Sequence, residues 1–454
     1  MTVRLIHPWT GTVDYVYDYA GEAEVERTLA AAAEAAPLWA ARQLDDRSAL
    51  LRAVAAGLRA RRDTLAATMS ADMGKLRREA LAEIEKSAGA CEYYAEHAID
   101  YLRDAQIRTE AQRSYVTYEP IGAVFAVMPW NFPIWQVFRF LAPALMAGNV
   151  AVLKHATNVP RCADAIADLL REAGAPDGVF GVLHIDNEMA ARVIADPRIK
   201  AVTLTGSERA GRSVAATAGR HLKKCVMELG GSDPFVVLDD ADLDATIPAA
   251  VASRFGNAGQ TCIAAKRFIV TPGIADAFVA RFVEAAGKLA VGDPDLDATT
   301  LAPMARADLR DEVHDQVQRS VAAGAKLLLG GTPGQGGSHY PATILDHVVA
   351  GMPAYHEELF GPAASILRAR DDDDAVRIAN DTDFGLGASV WTRDKARGEA
   401  VARRLQAGAT FVNAIVRSDV RLPFGGTKNS GFGRELAEHG IHEFMNIKTV
   451  YVAG

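Results

Sequence analysis

The spacing of apolar residues divides the chain into a helical segment and two series of alternating strands and helices. Residues 22–104 carry apolar side chains at helical spacing over three stretches, so the pattern predicts helices there. After residue 114 the pattern becomes alternating and β-branched, and short apolar runs such as VFAVMP (124–129) are then separated by helical stretches. This rhythm is typical of a parallel, doubly wound α/β sheet.

The second series begins after Gly230 and Gly231, which interrupt the first. We therefore predict a domain boundary near residue 230. The final segment, MNIKTVYVAG (445–454), is β-like, and no helical pattern follows it. Because such a strand needs a partner, we expect it to pair with another subunit, in a homodimer or homotetramer.

Charge and composition exclude several classes of partner. The chain has 454 residues, too many for one hydrophobic core, and a formal net charge of −8. An acidic balance gives no general attraction to nucleic acid or to anionic membranes. Residues 1–13 lack the pattern of a secretory signal, and no apolar stretch has membrane-spanning length. We therefore expect a cytoplasmic protein that acts on a small molecule.

One of the four cysteines differs in its surroundings from the others. Cys91, Cys162 and Cys225 lie within apolar helix or strand patterns, where a free cysteine packs as a small hydrophobe. No paired spacing occurs, so we expect neither a disulfide framework nor a bound metal. Cys262 ends the polar, glycine-containing segment GQTC, where a ligand can approach the backbone. It is the candidate nucleophile.

Two polar residues at predicted strand ends are candidate partners of Cys262. Glu228 comes at the end of the run CVMEL, where partial desolvation would raise the pKa of its carboxyl group and suit it to act as a base. The alternative for Glu228 is a structural acid bound to backbone amides. Asn131, in MPWNFP, is placed to donate its amide to a developing oxyanion. The alternative for Asn131 is capping of the following helix.

Six segments together resemble the aldehyde dehydrogenase superfamily, and most closely its bacterial-type succinate-semialdehyde dehydrogenases. They occur in the family's order over nearly the whole chain: PWNFP (129–133), LTGS (204–207), MELGG (227–231), GQTC (259–262), EELFGP (357–362) and PFGGTKNSGFGRE (423–435). The resemblance implies an α/β fold with two parallel-sheet domains and a small β oligomerisation element. It assigns 1–104 and 120–230 to cofactor binding, 231–418 to catalysis, and 105–119 and 419–454 to the β element.

The resemblance also implies a mechanism. Cys262 matches the nucleophile that adds to an aldehyde, and Asn131 matches the amide that holds the oxyanion together with the Cys262 backbone N–H. Hydride then passes to a nicotinamide, and Glu228 matches the base that activates water to hydrolyse the thioester. The chain also matches the family at cofactor-binding positions, which are Trp130, Lys154, Gly206, Ser207, Glu358 and Phe360.

Thr157 bears on the choice between NADP and NAD. In NAD-preferring relatives an acid at this position, three residues after Lys154, binds the adenosine 2′-hydroxyl and would repel a 2′-phosphate. A threonine hydroxyl can bind the phosphate, and Lys154 adds a positive charge. We predict that NADP is preferred and that NAD is also possible, the alternative being a neutral Thr157 and equal use of both.

Arg139 bears on the substrate. It lies at helical spacing from Phe132 and Trp135, which places a cation beside aromatic side chains close to Asn131. A guanidinium binds a carboxylate through two parallel hydrogen bonds, and the succinate-semialdehyde dehydrogenases carry arginine at the matching position. The resemblance thus implies oxidation of succinic semialdehyde to succinate. The alternative is an arginine paired with a structural acid.

The chain departs from the family at Gly256, where many relatives hold a second arginine. The substrate carboxylate would then need other donors. Arg417 and Ser418, in the segment NAIVRSDVRLPFGG (413–426), are predicted to supply them, beside Trp135.

Three rival functions have weaker support in the sequence. An acylating dehydrogenase that transfers the thioester to coenzyme A does not need the base that Glu228 supplies. A catalytically inactive binding protein would not need Cys262 or Asn131. A cysteine hydrolase would need a histidine base, and none of the eleven histidines has a suitable neighbourhood. A dehydrogenase of another aldehyde remains the nearest alternative.

Overall fold

Four long helices, α1–α4, fill the N-terminal segment in which the apolar spacing predicts helices. The computed structural model describes residues 1–454. Its helices are α1 (Glu22–Ala40), α2 (Leu44–Ala60), α3 (Arg62–Met73), α4 (Arg77–Tyr101), α5 (Trp135–Met146), α6 (Pro160–Glu172), α7 (Asn187–Ala195), α8 (Glu208–Arg220), α9 (Leu243–Phe255), α10 (Ala275–Ala286), α11 (Ala307–Ala322), α12 (Pro353–His356), α13 (Asp372–Asn380), α14 (Lys395–Ala402) and α15 (Ala437–His442).

The strands form three sheets of three or more strands and two short pairs. They are β1 (Thr2–Ile6), β2 (Val13–Asp18), β3 (Ala105–Gln106), β4 (Arg113–Pro120), β5 (Ala123–Met128), β6 (Val150–His155), β7 (Phe180–Val182), β8 (Ile199–Thr205), β9 (Lys224–Glu228), β10 (Asp233–Val237), β11 (Ala265–Val270), β12 (Lys326–Leu329), β13 (Thr343–Asp346), β14 (Ala363–Arg368), β15 (Phe384–Gly385), β16 (Gly387–Trp391), β17 (Ala409–Val412), β18 (Thr427–Lys428), β19 (Gly431–Phe432) and β20 (Met445–Val452).

The first large sheet has six strands in the order β19-β9-β8-β5-β6-β7. All neighbours are parallel except β19, which runs antiparallel to β9. The sequences of β5 (AVFAVM) and β6 (VAVLKH) are almost continuously apolar and are buried. Strands covered by helices on both faces have this composition, because neither face meets water.

The second large sheet has seven strands in the order β12-β13-β14-β11-β10-β16-β17. Only the edge pair β12–β13 is antiparallel. The chain passes from one large sheet to the other between Glu228 and Asp233, around the predicted boundary at residue 230. The predicted α/β fold with two parallel sheets is thus confirmed.

The C-terminal strand β20 finds its partner within the chain. It pairs antiparallel with β4 over its whole length, from Met445 opposite Pro120 to Val452 opposite Arg113. The expectation that its partner would come from another subunit overlooked β4, which has the same length of eight residues. β20 nevertheless forms one edge of its three-stranded sheet, so its second edge has no partner in the chain. None of the helices is both long and apolar enough to cross a membrane.

Candidate active site

A cavity of about 760 Å³ opens beyond the carboxyl ends of β5, β8 and β9. Ligands of open α/β sheets bind at this end of the strands, because the loops there diverge and leave a crevice. The lining contains seven of the residues predicted from the sequence, which are Trp130, Asn131, Gly206, Ser207, Cys262, Glu358 and Phe360. One space therefore joins the candidate nucleophile to the candidate cofactor residues.

Cys262 lies in the loop before β11 and is partly accessible. Gly259, at the start of GQTC, adopts a φ of +72°, and a side chain there would collide with the carbonyl oxygen of Gly361. Burial raises the pKa of the Cys262 thiol to about 11, against the opposing charges of Arg139 and Lys266. The thiol is therefore protonated at neutral pH in this state, and its reaction requires a proton acceptor.

Hydrogen bonds fix both the side chain and the backbone carbonyl of Asn131. Its side-chain Nδ2 donates to the carbonyl of Gln260 over 3.0 Å, which leaves the second N–H of the amide available. Its backbone carbonyl accepts from Lys75 Nζ at 2.8 Å and from Asn257 Nδ2 at 2.9 Å. The Asn131 side chain does not cap α5, which was its alternative role. Its free N–H and its place in the cavity wall suit an oxyanion donor.

Glu83 caps α5 instead, and sequence reasoning missed it. Its Oε1 accepts from the backbone N–H groups of Ile134 and Trp135, both at 2.9 Å. Its other oxygen forms an ion pair with Lys75, and both side chains are buried. The same Lys75 that holds Asn131 is therefore tied, through Glu83, to the first turn of α5.

Glu228 ends β9 and is buried. Neither of its carboxyl oxygens has a hydrogen-bond partner, so it is not the amide-bound structural acid of the alternative interpretation. Burial raises its pKa well above the usual range, with Glu435 adding to the effect and Arg139 opposing it. A buried carboxyl group without a partner is costly to keep, and such groups are concentrated at functional sites.

Arg139 lies on α5 and is almost completely buried. It forms an ion pair with Glu435, and its Nη2 donates to Thr205 Oγ1 at 3.0 Å. The ring of Phe424 lies 4.8 Å from the guanidinium. This is the pairing with an acid that the sequence left open as the alternative to substrate binding. Its charge still affects the nucleophile, because Arg139 lowers the pKa of the Cys262 thiol more than any other neighbouring charge does.

Glu358 and Phe360 also line the cavity. Glu358 Oε1 accepts from the backbone N–H of Gly231 at 3.0 Å and lies 3.2 Å from Lys266 Nζ. Phe360 meets the ring of Trp130 edge-on, with centroids 5.8 Å apart. Lys266 is a second residue that sequence reasoning missed, and it also donates to the Cys262 carbonyl at 2.7 Å. No feature of the strand AKRFIV distinguishes it from a surface lysine.

The turn LTGS leads from β8 into α8. Ser207 is the N-cap of α8, and its Oγ accepts from the N–H of Ala210 at 3.3 Å. Gly206 and Ser207 line the cavity together with Glu208, Arg209 and Arg212 of the first turns of α8, where Arg212 forms an ion pair with Glu208. A helix N-terminus with an unpaired arginine nearby, here Arg209, is a favourable environment for a phosphate group.

Lys154 and Thr157 lie at the carboxyl end of β6, outside the cavity lining. Lys154 is buried, and burial lowers the pKa of its ammonium group. The Thr157 carbonyl accepts from the Tyr17 hydroxyl at 2.9 Å, which fixes the turn after β6. The two residues therefore lie on the same strand end, beside the strand that leads to Asn131.

The remaining predicted substrate residues meet at a different place. Trp135 and Ser418 both contact Lys86 of α4, which donates to Ser418 Oγ at 2.6 Å and lies 4.1 Å from the Trp135 ring. Arg417 is exposed and forms no ion pair or hydrogen bond. No group of three or more His, Cys, Asp or Glu side chains is placed to hold a metal ion.

Comparison with known proteins identifies the family of the chain. The model of the aldehyde dehydrogenase family matches residues 1–450. The chain is 48% identical, over 98% of its length and 97% of the relative's, to the NAD(P)+ succinate semialdehyde dehydrogenase Sad of Escherichia coli K12. It is 47% identical to the NADP(+) succinate-semialdehyde dehydrogenase of Mycolicibacterium paratuberculosis, with 100% of this chain and 97% of the relative covered.

A solved structure gives the same result. The succinic semialdehyde dehydrogenase from Streptococcus pyogenes, in complex with NADP+ as the cofactor, superposes with a TM-score of 0.97 at 38% identity. The match covers 99% of this chain and 100% of that one. The fold agrees with this match, and the chain belongs to the aldehyde dehydrogenase family.

Proposed function

We propose that this chain oxidises succinic semialdehyde to succinate, with NADP as the preferred cofactor. The observation that carries the proposal is the cavity that places Cys262 and Asn131 against the α8 turn, Glu358 and Phe360. A nucleophile and an oxyanion donor thus share one space with groups suited to a dinucleotide.

The residues present fit a nicotinamide dinucleotide. The N-terminus of α8 and Arg209 suit the pyrophosphate. Glu358 Oε2 accepts no hydrogen bond from the protein and is free to accept one from a ribose hydroxyl. Lys154 and Thr157 would hold the adenosine ribose and its 2′-phosphate at the end of β6. When bound, the nicotinamide supplies the hydride acceptor that makes aldehyde oxidation possible.

Cys262 adds to the aldehyde carbon as a thiolate. Its proton passes to solvent, and the charges of Arg139 and Lys266 favour the thiolate that remains. The carbonyl oxygen gains the negative charge as the carbon–sulfur bond forms. The free N–H of Asn131 and the backbone N–H of Cys262 are the donors for that charge, and their fixed positions avoid reorganisation during the reaction.

Glu228 then acts on the thioester. As a carboxylate it takes one proton from water, and the water oxygen bonds to the acyl carbon while the carbon–sulfur bond breaks. The acid product leaves, and Cys262 recovers its thiolate. An acylating enzyme would need no such base.

We infer the substrate and cofactor from the relatives, because the named enzymes of Escherichia coli and Mycolicibacterium paratuberculosis match this chain over almost its whole length. Thr157, in place of an acid, leaves room for the 2′-phosphate that distinguishes NADP. The chain keeps Cys262, Asn131 and Glu228, so an inactive binding protein is not supported.

We also infer a homodimer or homotetramer. The free edge of β20 carries exposed apolar side chains, among them Ile447, Tyr451 and Val452. A strand edge of this kind is a template for pairing with a second copy. The β element of 105–119 and 419–454 would then be the interface, and light scattering that gives the mass of a single chain, 48.4 kDa, would refute this.

The experiment follows reduced cofactor with succinic semialdehyde and with butanal, which has the same carbon chain without the carboxylate. We expect a higher kcat/KM for succinic semialdehyde, a higher value with NADP than with NAD, and no acceleration by coenzyme A. Thr157→Glu should move the NADP-to-NAD ratio by about tenfold toward NAD, since like charge is introduced beside the 2′-phosphate. A higher kcat/KM for butanal would contradict the proposed substrate.

A further inference from the structure

Lys266 lies in β11, shortly after Cys262 in the chain, and its side chain is almost completely buried. Its Nζ donates to the Thr261 carbonyl at 3.0 Å and to the Cys262 carbonyl at 2.7 Å, and it lies 3.2 Å from Glu358 Oε1. An ammonium group has three N–H donors, so these three acceptors can use all of them. Two of the three acceptors belong to the backbone that carries the nucleophile.

The Thr261 carbonyl belongs to the same peptide unit as the Cys262 N–H. The unit is planar and trans, so the two groups point in opposite directions, and an ammonium group that holds one of them fixes the direction of the other. The Thr261 carbonyl also accepts from the N–H of Ala264 at 3.1 Å, whereas the Cys262 N–H makes no hydrogen bond within the protein. This N–H is therefore available to an anion that forms beside the sulfur.

We propose that Lys266 is a positioning residue of the oxyanion site, which orients the Cys262 N–H and strengthens it as a donor. A positive charge at the carbonyl oxygen of a peptide draws electron density from the nitrogen, because the amide group is conjugated. The inference rests on the proposed function, since the oxyanion arises when Cys262 adds to the aldehyde. Lys266 acts through the peptide of residues 261–262 and not on the aldehyde itself.

This peptide lies in a loop whose direction regular structure does not fix. The residues from Asn257 to Gly259 have left-handed φ values between +53° and +72°, and β11 begins only at Ala265. Residues 260–264 have no strand pairing that would set the direction of their peptides. Lys266 supplies this constraint, because its buried ammonium group binds two successive carbonyls of the loop.

The charge of Lys266 also acts on the nucleophile. Burial raises the pKa of the Cys262 thiol to about 11, the charges of Arg139 and Lys266 oppose this rise, and those of Glu228 and Glu358 add to it. Two reactions of the thiol separate the two effects. Alkylation by iodoacetamide requires only the thiolate, whereas acylation by 4-nitrophenyl acetate also forms an oxyanion at the carbon that the sulfur attacks. Neither reaction needs a cofactor.

Lys266→Met tests the inference, because it removes the charge and keeps an unbranched side chain. The rate constant of alkylation is measured on the labelled Cys262 peptide by mass spectrometry, since Cys225 is also partly accessible. The rate constant of acylation is measured from the burst of 4-nitrophenolate that leaves as the thioester forms. We expect alkylation to slow by about tenfold and acylation by about a hundredfold, so their ratio should fall by about tenfold.

Arg267→Met is the matched control, because Arg267 is a buried cation on the same strand. Its guanidinium donates to the carbonyls of Ser232, Ile378 and Ala379, all at 2.9 Å, and not to the loop before β11. This variant should lower the free energy of unfolding and leave the ratio of acylation to alkylation within about twofold. If Lys266→Met does not fold, Lys266→Gln provides the same test, and its ratio should also fall.

Equal slowing of acylation and alkylation in the Lys266 variants would overturn the inference, because the lysine would then act only on the charge of the thiol. Rate constants equal to those of wild type would overturn it as well. Failure of the proposed function would look different. Wild type would then reduce no cofactor with succinic semialdehyde, whatever the ratio of the two reactions of Cys262.

Discussion

Two cations on the neighbouring helices α4 and α5 lie in opposite environments. Arg139 is buried within the protein and is bound by Glu435, Thr205 and the face of Phe424. Lys86 is exposed to solvent, and its only partners are a hydroxyl group and an aromatic ring. The sequence pattern drew attention to Arg139, whereas the structure leaves Lys86 as the cation that still lacks a counter-ion.

The difference separates two uses of positive charge. The charge of a cation that is already paired acts on every substrate alike, because it lowers the pKa values of Cys262 and Glu228 and does not bind the substrate. A charge that is exposed to water is screened by salt. The buried cation should therefore contribute more to the rate of the chemistry than the exposed one.

The largest effect is expected in the interior, from Glu228→Gln. The steady-state rate should fall by about a hundredfold or more with both aldehydes, because the base for thioester hydrolysis is lost. The first turnover should remain, and rapid mixing should reveal reduced cofactor equal to the number of sites. A loss of this first turnover as well would show that Glu228 is needed before hydrolysis.

The pH profile of wild type provides the control for that variant. Glu228 works as a carboxylate, and burial raises its pKa well above the ~4.3 of an ordinary glutamate. The steady-state rate should thus decline with falling pH while ordinary glutamates are still ionised. The residual rate of Glu228→Gln should lack this decline.

A smaller but unselective effect is expected from Arg139→Met. It leaves Glu435 buried without its partner, which should lower the free energy of unfolding by about 3–5 kcal/mol in urea titrations. The kcat/KM values for succinic semialdehyde and butanal should fall by a similar factor, on the order of tenfold. A loss confined to succinic semialdehyde would instead place the substrate carboxylate at Arg139.

The double variant Arg139→Met with Glu435→Gln separates stability from catalysis. It removes the unpaired carboxylate, so the free energy of unfolding should recover much of the loss. Activity should stay low, because the positive charge beside the Cys262 thiol is still missing. Recovery of activity together with stability would mean that Arg139 only supports the fold.

The smallest effect is expected at Arg417, a predicted substrate residue next to Ser418. Its side chain is exposed and makes no polar contact, so mobility and water should weaken any attraction to the substrate. Arg417→Ala should change the succinic semialdehyde-to-butanal ratio by less than about twofold. A change of about tenfold or more would place the substrate carboxylate beside Arg417.

Residues at strand ends were the part of the site that the sequence predicted well. Glu228 does lie at the end of a buried strand, because an apolar run followed by two glycines can hardly continue as a strand. Asn131 and Cys262 lie in the loops that their glycine, proline and polar neighbours indicate. The seven cavity residues belong to short segments whose order along the chain is distinctive.

Residues that act across helix contacts could not be predicted in the same way. Lys75, Glu83 and Lys86 belong to a helical region in which charged residues are frequent, and their pattern resembles that of a solvated face. Only the packing of α4 against α5 shows that Glu83 and Lys75 are buried and that Lys86 meets Ser418. Periodicity records which face is apolar, but it does not record which charged residue the next helix covers.

The segment 431–435 has a consequence for the timing of assembly. β19 lies beside the strand that ends in Glu228, and Glu435 supplies the counter-ion of Arg139. Both contacts join regions that are synthesised far apart. A nascent chain that has passed Cys262 thus contains both Glu228 and Cys262 before β19 and Glu435 have been synthesised. Catalytic activity should therefore appear late in synthesis and abruptly, when β19 pairs with β9 and completes the six-stranded sheet.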